Sequence, residues 1–329
     1  MARGTILQGV IVNMNKDAKI YIAGHLGMVG SAVVRCLNSH GFNNLVLRTS
    51  KELDLTRQAD VEQFFNEMKP EFVFLAAARV GGIMANSTYR AEFIYINTLI
   101  QSNVIHSAWE AGVKKLLFFS SSCVYPRECK QPMKEEYLWS GKLEPTNEPY
   151  AVAKLAGMSM CRAYKEQYGV HFFSVVPTNL YGCNDNYDPE QSHVMAALID
   201  KFHCAKIEKK PAVTLWGTGM PRRELMYVDD AAAAAVFLMQ NYIGNNPVNI
   251  GLGEDLTIRE LAKIVRDTVG YQGDILLDKS KPDGVVQKLL DMSKLHSMGW
   301  KAQTSLKQGL TKAYDWYLES PFCKRSKEN

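Results

Sequence analysis

Two side chains near the middle of the sequence could exchange a proton with a carbonyl group. Tyr150 and Lys154 stand four residues apart, so on a helix they lie on the same face. A neighbouring ammonium favours the phenolate form of tyrosine, so the spacing predicts that Lys154 lowers the pKa of Tyr150. Such a tyrosine can pass a proton to or from a carbonyl or alcohol oxygen near neutral pH.

A serine and a cysteine close the apolar stretch that precedes this predicted helix. Ser121 and Cys123 are two residues apart, and alternate residues of a strand point to the same side of a sheet. A hydroxyl there can hydrogen-bond the oxygen that Tyr150 protonates, whereas a thiolate can remove a proton from the carbon beside a ketone. A free cysteine has a pKa of about 8.5, which a nearby positive charge lowers. Five other cysteines are interpreted as small buried hydrophobic residues: Cys36, Cys129, Cys161, Cys183 and Cys204.

The segment GHLGMVG at 24–30 is a glycine-rich turn between a predicted strand and a predicted helix. Gly24, Gly27 and Gly30 allow backbone N–H groups to approach a pyrophosphate at the helix N-terminus. The second predicted strand ends at Arg48, where NAD-specific folds usually place an acid. Because an arginine at this point accommodates a 2′-phosphate, the sequence favours NADP(H) over NAD(H).

Strands and helices alternate through the first half of the chain. Strands are predicted at 19–23, 44–48, 72–76, 115–120 and 171–176, and helices at 27–40, 59–68, 90–111 and 150–168. This alternation is typical of an α/β fold with a Rossmann-type, doubly wound parallel sheet. Ligands of such sheets bind at the carboxyl ends of the strands, where the residues described above are expected to meet.

Beyond residue 177 the pattern becomes irregular. Short helices are predicted at 192–203, 258–269, 293–298 and 306–318, and short strands at 213–215, 248–250 and 274–277. An alanine-rich helix at 229–240 is expected to return to the main sheet. We therefore predict a cofactor domain formed by 19–178 and 229–253, and a smaller, discontinuous α/β substrate domain formed by 179–228 and 254–322. Residues 1–18 lack the features of a signal peptide and are interpreted as a disordered leader.

Composition narrows the choice of partners and compartment. The 329 residues carry 38 Lys and Arg against 34 Asp and Glu, a net charge of +4, without a basic run interleaved with aromatic residues. Nucleic acid is therefore an unlikely partner. No apolar run approaches the roughly 20 residues of a membrane-spanning helix. The seven cysteines are scattered without a CxxC pair, so we predict reduced thiols, a cytoplasmic location and no metal site.

Four further side chains in the second half are candidates for ligand contacts. His193 follows the predicted turn at 179–182, and histidine is the usual acid near neutral pH. Arg223, Lys201 and Lys281 could bind the phosphates of a ligand. On residue type alone, a structural histidine and solvent-facing cations remain open as alternatives.

Together these motifs resemble the extended short-chain dehydrogenase/reductases that act on nucleotide sugars. The resemblance runs from residue 19 to about residue 319 and rests on IAGHLGMVGSA, LAAARVGGI, SSSCVYP, EPTNEPYAVAK, PTNLYG, SHV, VDD and SKPDG. It implies a homodimeric NADP(H)-dependent enzyme whose substrate is a GDP-4-keto-deoxy sugar. The implied reaction is epimerisation at C3 and C5, followed by hydride transfer to C4.

The resemblance also implies a role for each matching position. Ser121, Tyr150 and Lys154 match the reductase triad, while Cys123 and His193 match the base and the acid of epimerisation. The implied cofactor contacts are Gly24, Gly27, Met28, Val29, Gly30, Arg48, Ala77, Tyr150, Lys154, Pro177, Asn179 and Leu180. The implied contacts with the GDP-sugar are Asn179, His193, Lys201, Trp216, Arg223 and Lys281.

Some positions depart from the family pattern. Leu26 stands where many members have arginine, and Val285-Val286-Gln287 replaces a common Thr-Pro-Arg, which removes a cation near the nucleotide. One alternative is therefore a C4-reductase for a related GDP-4-keto sugar, such as a heptose or a 3,6-dideoxyhexose, with partial or no epimerisation. Another is a noncatalytic NADP-sensing module. The intact Ser121, Tyr150 and Lys154 argue against a sensor, which needs no proton donor.

Overall fold

The computed structural model describes residues 14–188, 192–281 and 283–325. Its strands are β1 (Ile20–Ala23), β2 (Leu45–Val46), β3 (Phe72–Leu75), β4 (Lys115–Phe119), β5 (His171–Pro177), β6 (Asn179–Tyr181), β7 (Ala212–Trp216), β8 (Arg222–Arg223), β9 (Leu225–Tyr227), β10 (Val248–Ile250), β11 (Leu256–Thr257), β12 (Asp274–Asp278) and β13 (Gln287–Lys288). Its α-helices are α1 (Met28–Ser39), α2 (Gln58–Met68), α3 (Ile83–Thr88), α4 (Arg90–Glu110), α5 (Glu148–Tyr168), α6 (Val194–Ile207), α7 (Val228–Asn241), α8 (Ile258–Val269), α9 (Ser293–Ser297), α10 (Leu306–Glu319) and α11 (Pro321–Arg325).

The predicted doubly wound parallel sheet is confirmed. Six strands lie in the order β10-β5-β4-β3-β1-β2, and each neighbouring pair is parallel. Strands β1, β3 and β4 are buried along their whole length, as expected of strands that helices cover on both faces. From β1 the chain continues to β2 at one edge of the sheet, and then crosses to β3 on the other side of β1. The switch point of the topology therefore lies between β1 and β3, and ligands of such sheets bind at this point.

A second hydrophobic cluster lies outside the sheet core and includes Phe202, Leu261 and Leu310. It is covered by short elements, among them the parallel pair β7–β12 and the three-stranded sheet β11-β8-β13. Strands β6 and β9 pair with each other and belong to both cores. Leu180 and Met226 pack in the sheet core, whereas the alternate residues Tyr181, Leu225 and Tyr227 pack in the second cluster. The two-residue period of a strand thus lets β6 and β9 join the two cores.

The leader prediction is wrong for residues 14–18, and residues 1–13 lie outside the described residues. Met14 and Ala18 are buried in the sheet core. The Lys16 ammonium lies 4.0 Å from the centre of the Phe42 ring, and the Asn44 side chain donates a hydrogen bond to the carbonyl of Asp17. The segment lacks a regular apolar pattern because it forms a turn before β1, in which the Ala18 N–H donates a hydrogen bond to the Asn15 carbonyl at 3.2 Å.

Other boundaries also differ from the predictions. The predicted turn at 179–182 is strand β6, and β2 ends at Val46, so Arg48 lies two residues beyond it. Helix α3 was not predicted. Leu290, Met292 and Leu295 pack in the sheet core although the predicted boundary places them in the substrate domain. In each case the element is too short to produce a periodic signal, and its tertiary contacts determine its place.

Within the described residues, every helix is too short or too polar to cross a membrane.

The packing of residues 14–18 predicts that Met14 contributes to stability. Met14→Ala should lower the free energy of unfolding by about 2–3 kcal/mol, because it removes a buried side chain and leaves a cavity. Denaturant unfolding would measure the change. The exposed neighbour Asp17 provides the control, since Asp17→Ala should change stability by about 0.5 kcal/mol or less. Equal stability of Met14→Ala and wild type would contradict this packing.

Candidate active site

Ser121 and Cys123 lie just beyond the carboxyl end of β4, in a single turn of 3₁₀-helix at Ser122–Val124. Ser121 has an extended backbone and caps this turn, because its Oγ accepts a hydrogen bond from the backbone N–H of Cys123 at 3.4 Å. The expectation that both residues share one strand face is therefore wrong, since β4 ends at Phe119. The cap hydrogen bond, and not strand alternation, brings the two side chains together.

Helix α5 places Tyr150 and Lys154 against the same end of β4. The helix begins at Glu148, with proline in its first turn, a position where a missing N–H has no cost. Lys154 is buried, and its ammonium donates a hydrogen bond to the Phe119 carbonyl at 2.8 Å. The same ammonium lies 5.8 Å from the centre of the Tyr150 ring. The Phe93 ring packs edge-on against Tyr150, with ring centres 6.1 Å apart.

Burial dominates the ionisation of this group of four residues. It raises the pKa of Tyr150, with a further increase from Cys123, while a hydrogen bond with the Ser121 side chain acts in the opposite direction. The expectation that Lys154 lowers this pKa is not supported, because the largest cause is burial. Burial also lowers the pKa of Lys154 to about 8, against an opposing effect of Cys123. The phenol is therefore held in its protonated form, which is the form that donates a proton.

The Cys123 thiol is buried, and burial raises its pKa. Three groups oppose this effect: first the charge of Lys288, then the Ser121 side chain and the charge of Lys154. Lys288 lies on β13, which pairs with β8 so that Lys288 stands opposite Arg223. Lys288 belongs to the predicted substrate domain. The structure thus places a cation of that domain near the cysteine at the end of β4.

The glycine-rich turn fits the pyrophosphate of a dinucleotide. Gly24 has a left-handed backbone with φ of +86°, and a Cβ there would lie 2.7 Å from the Ala77 backbone nitrogen. A Cβ on Gly30 would lie 2.1 Å from the Gly24 carbonyl oxygen. Gly27 precedes α1 without a side-chain cap, so the first backbone N–H groups of this helix, which include those of Met28 and Val29, face outward. Such groups bind phosphates.

Arg48 lies beside this turn, in the segment after β2. Its guanidinium donates a hydrogen bond to the Leu47 carbonyl at 2.8 Å and lies 5.9 Å from the centre of the Phe64 ring. Leu26 is 67% exposed, so the glycine turn presents an apolar side chain where a second cation is common in the family. On the other side of the turn, Pro177 ends β5, and Asn179 and Leu180 begin β6.

The candidate residues for the GDP-sugar fall into two groups. Lys201 donates a hydrogen bond to the Thr214 carbonyl on β7 at 3.2 Å, and β7 ends at Trp216, whose side chain is 65% exposed. The Lys281 ammonium lies 5.7 Å from the centre of a Trp216 ring. Arg223 lies apart from these three, on β8, where its guanidinium donates a hydrogen bond to the Val285 carbonyl at 2.6 Å.

His193 immediately precedes α6 and is half-exposed. Its Nδ1 lies 4.0 Å from a carboxylate oxygen of the buried Asp185. Among the described residues, His193 forms no hydrogen bond or ion pair with Cys123 or Tyr150. A substrate would therefore have to lie between the histidine and the cysteine for both to act on it.

Sequence reasoning missed two residues at this site, Lys288 and Glu224. Lys288 lies on a strand of two residues, which is too short to show a pattern. Glu224 stands between Arg223 and the apolar run at 225–228. An acid at such a position is a usable signal, because a buried carboxylate requires hydrogen-bond partners.

Comparison with known proteins agrees with this geometry. A profile described as "NAD dependent epimerase/dehydratase family" matches residues 20–251. GDP-L-fucose synthase 1 of Arabidopsis thaliana is 56% identical over 306 residues, which is 93% of this chain and 95% of that protein. A solved GDP-L-fucose synthetase from Naegleria fowleri bound to NADP has 28% identity and a TM-score of 0.87, over 94% of this chain and 96% of its own. A GDP-6-OMe-4-keto-L-xylo-heptose reductase from C. jejuni has 42% identity and a TM-score of 0.88, over 93% of this chain and 99% of its own.

The lowered pKa of Lys154 predicts an alkaline limit on activity. A lysine loses its charge as pH rises through its pKa, so kcat/KM for NADPH oxidation should fall as pH rises through about 8. Lys154→Arg keeps the cation at every working pH, so this limb should move to higher pH even where the overall rate is reduced. The measurement is the pH–rate profile of both proteins. An identical alkaline limb in both would show that another group causes it.

Arg48 predicts the choice of cofactor. NADPH should bind more tightly than NADH, and Arg48→Ala should weaken NADPH binding about tenfold or more, because a charge-assisted hydrogen bond is lost. NADH binding should change little. Fluorescence titration with both cofactors would measure this, with Arg57→Ala, an exposed cation in the next segment, as the control. Equal affinity of the wild type for the two cofactors would refute the prediction.

Proposed function

The chain belongs to the NAD dependent epimerase/dehydratase family, and we propose that it converts GDP-4-keto-6-deoxy-D-mannose to GDP-L-fucose with NADPH. The proposal rests on one observation: Cys123 lies against Ser121, at the strand end that also holds the Tyr150–Lys154 pair. The similarity to GDP-L-fucose synthases over nearly the whole chain supports the same assignment.

Three residues would carry out the reduction. When bound, NADPH supplies a hydride to C4 of the sugar. Tyr150 donates the proton to the C4 oxygen, and its raised pKa keeps the phenol protonated until charge develops on that oxygen. Ser121 hydrogen-bonds the same oxygen. Lys154, fixed to the Phe119 carbonyl, holds the nicotinamide ribose and places positive charge beside the phenol.

Cys123 and His193 would carry out the epimerisation. The C4 ketone acidifies the protons on C3 and C5, because the carbanion formed on either carbon is delocalised onto the ketone oxygen. Cys123 as thiolate removes each proton, and His193 returns one to the opposite face. Lys288 and Lys154 favour the thiolate against the effect of burial. The isomerase activity thus depends on cations that surround a buried thiol.

The second unit would hold the GDP moiety. Trp216 offers an exposed ring, and Lys201 and Lys281 lie close to it. Arg223 binds the diphosphate nearer to the reacting carbons, on the strand that pairs with Lys288. Asn179 lies where the two units meet, since its side chain donates a hydrogen bond to the Glu224 carbonyl. These contacts support a division into a cofactor domain and a GDP-sugar domain.

A homodimer through α4 and α5 is part of the proposal. These two helices pack against each other, and their outer faces expose the apolar residues Ile94, Tyr95 and Val152. A groove of about 350 Å³ lies between their N-terminal ends. A two-fold axis would pair this face with itself and bury it. A cytoplasmic location is proposed from the cysteines, all seven of which are free thiols.

The alternative is a C4-reductase for another GDP-4-keto sugar, with partial or no epimerisation. The similarity to the C. jejuni heptose reductase is the observation in its favour. Both functions use the same Ser121, Tyr150 and Lys154, so NADPH oxidation alone does not separate them. Proton exchange at C3 and C5 does.

Cys123→Ser should separate epimerisation from reduction. A serine hydroxyl is far harder to ionise than a thiol, so exchange at C3 and C5 should collapse while the reductase residues stay intact. In D₂O, the variant should still oxidise NADPH and yield an unepimerised GDP-6-deoxy sugar without deuterium at either carbon. His193→Asn should impair reprotonation in the same assay, with a smaller effect on hydride transfer.

The readout is deuterium incorporation by NMR or mass spectrometry, beside NADPH consumption. Deuterium exchange by Cys123→Ser at the wild-type rate would show that Cys123 is not the base. A wild-type enzyme that reduces GDP-4-keto sugars but incorporates no deuterium would establish the reductase alternative.

A further inference from the structure

Glu224 is a fully buried carboxylate between β8 and β9. Its Oε1 accepts hydrogen bonds from the backbone N–H groups of Leu252 at 2.5 Å and Gly253 at 2.8 Å. Its Oε2 accepts one from the backbone N–H of Leu290 at 2.9 Å. A carboxylate removed from water is costly unless its oxygens are hydrogen-bonded, and here both oxygens are bonded to backbone.

The backbone of Glu224 binds further segments. Its N–H donates a hydrogen bond to the Lys288 carbonyl at 3.2 Å. Its carbonyl accepts hydrogen bonds from the Thr178 hydroxyl at 3.2 Å and the Asn179 amide at 3.0 Å. This single residue therefore joins the β5–β6 connection, the loop after β10, strand β8 and the segment that follows β13.

Two cations of the candidate site, Arg223 and Lys288, lie on or next to these segments and stand opposite each other on paired strands. Arg223 precedes Glu224 in the chain, and Lys288 is fixed by Glu224 through its own carbonyl and through Leu290 two residues later. Lys288 is in turn the cation with the largest charge effect on Cys123. The other groups around the thiol are Ser121, Tyr150 and Lys154. Among the described residues, none of these three forms a hydrogen bond with Glu224.

We propose that Glu224 is a positioning residue that fixes Lys288 towards Cys123 and Arg223 towards the ligand diphosphate. It touches neither substrate nor cofactor, and it acts through the strands that it joins. The part concerning proton exchange rests on the proposed function. The part concerning GDP binding through Arg223 rests on it too, whereas the part concerning the thiolate does not, because it can be measured without a sugar substrate.

Glu224→Gln is the sharpest substitution. An amide keeps the size and one acceptor, but its NH₂ group would face a backbone N–H donor, either that of Leu290 or those of Leu252 and Gly253. The amide oxygen keeps more hydrogen bonds when it faces Leu252 and Gly253, so the NH₂ group should face Leu290. The hydrogen bond that fixes the segment after β13 is then lost without a cavity. The matched control is Asp230→Asn. Asp230 is also a buried carboxylate, and it accepts hydrogen bonds from the backbone N–H groups of Gln303 at 3.2 Å and Thr304 at 2.8 Å, on a segment that carries none of the site residues.

Two readouts separate positioning from plain stability. The first is the ionisation of Cys123, followed by thiolate absorbance as the difference between each protein and the same protein with Cys123→Ser. In Glu224→Gln this titration should move upward by about one pH unit, since an opposite charge has moved away. The second is GDP affinity by calorimetry, which should fall about tenfold for the loss of a charged contact. NADPH affinity should stay within about twofold of wild type, a difference well under 1 kcal/mol.

Asp230→Asn should lower the melting temperature but leave both readouts unchanged. If Glu224→Gln also lowers only the melting temperature, Glu224 is a structural residue and the proposal is overturned. Lys288→Gln gives a second test that leaves Glu224 in place, because Glu224 bonds only the backbone of this segment. It should move the Cys123 titration in the same direction, and an unchanged titration would overturn the link between Lys288 and Cys123. Failure of deuterium exchange in the wild type would contradict the proposed function alone.

Discussion

The hydrogen bond from the Lys154 ammonium to the Phe119 carbonyl fixes the geometry on which the chemistry depends. It attaches α5 to the last residue of β4, so Tyr150 on the helix and Ser121 beyond the strand have one relative position. Close packing reinforces the bond. A Cβ on Gly157 would lie 2.6 Å from the Phe118 ring, so only glycine lets this part of the helix approach the strand so closely. The Tyr-x-x-x-Lys spacing therefore serves two purposes, because the lysine is both a charge at the site and the anchor of the helix that carries the tyrosine.

Burial has opposite consequences for the two reactions. A buried phenol holds its proton, which suits a group that donates one to the C4 oxygen. A buried thiol also holds its proton, which opposes the proposed role of Cys123 as a base. Burial therefore favours the proposed reduction. It opposes the proposed epimerisation unless cations near Cys123 stabilise its thiolate. Lys154, on α5, is one such cation. Lys288, on β13, has the larger charge effect on the pKa of the thiol. In the proposed mechanism, the substrate domain therefore helps to ionise the base in addition to binding the nucleotide.

The sequence predicts the parallel sheet, the glycine turn and the Tyr150–Lys154 pair because each leaves a local signal: apolar runs, a fixed glycine spacing and a helical period. It does not predict Lys288 or Glu224. Their positions follow from strands of two or three residues, whose partners lie far away in the chain. The sequence correctly predicts that Cys123 lies close to Ser121, but the cause is different. A cap hydrogen bond, and not the alternation of side chains along a strand, brings the two residues together. Residues 14–18 show the same limit, since a single turn packed on a core has no period of its own.

The substitution at Gln287 shows why a lost charge in a sequence is weak evidence for a lost function. Gln287 stands where the family commonly has arginine, and the sequence alone suggests one cation fewer near the nucleotide. In the structure, Gln287 donates a hydrogen bond to one oxygen of Asp255 at 2.6 Å, while Arg222 donates one to the other at 2.7 Å. Arg222 lies opposite Gln287 on the paired strand β8, so both side chains bind the same carboxylate. The Asp255 carboxylate remains neutralised, and the strand that carries Arg223 remains tied to the strand that carries Lys288.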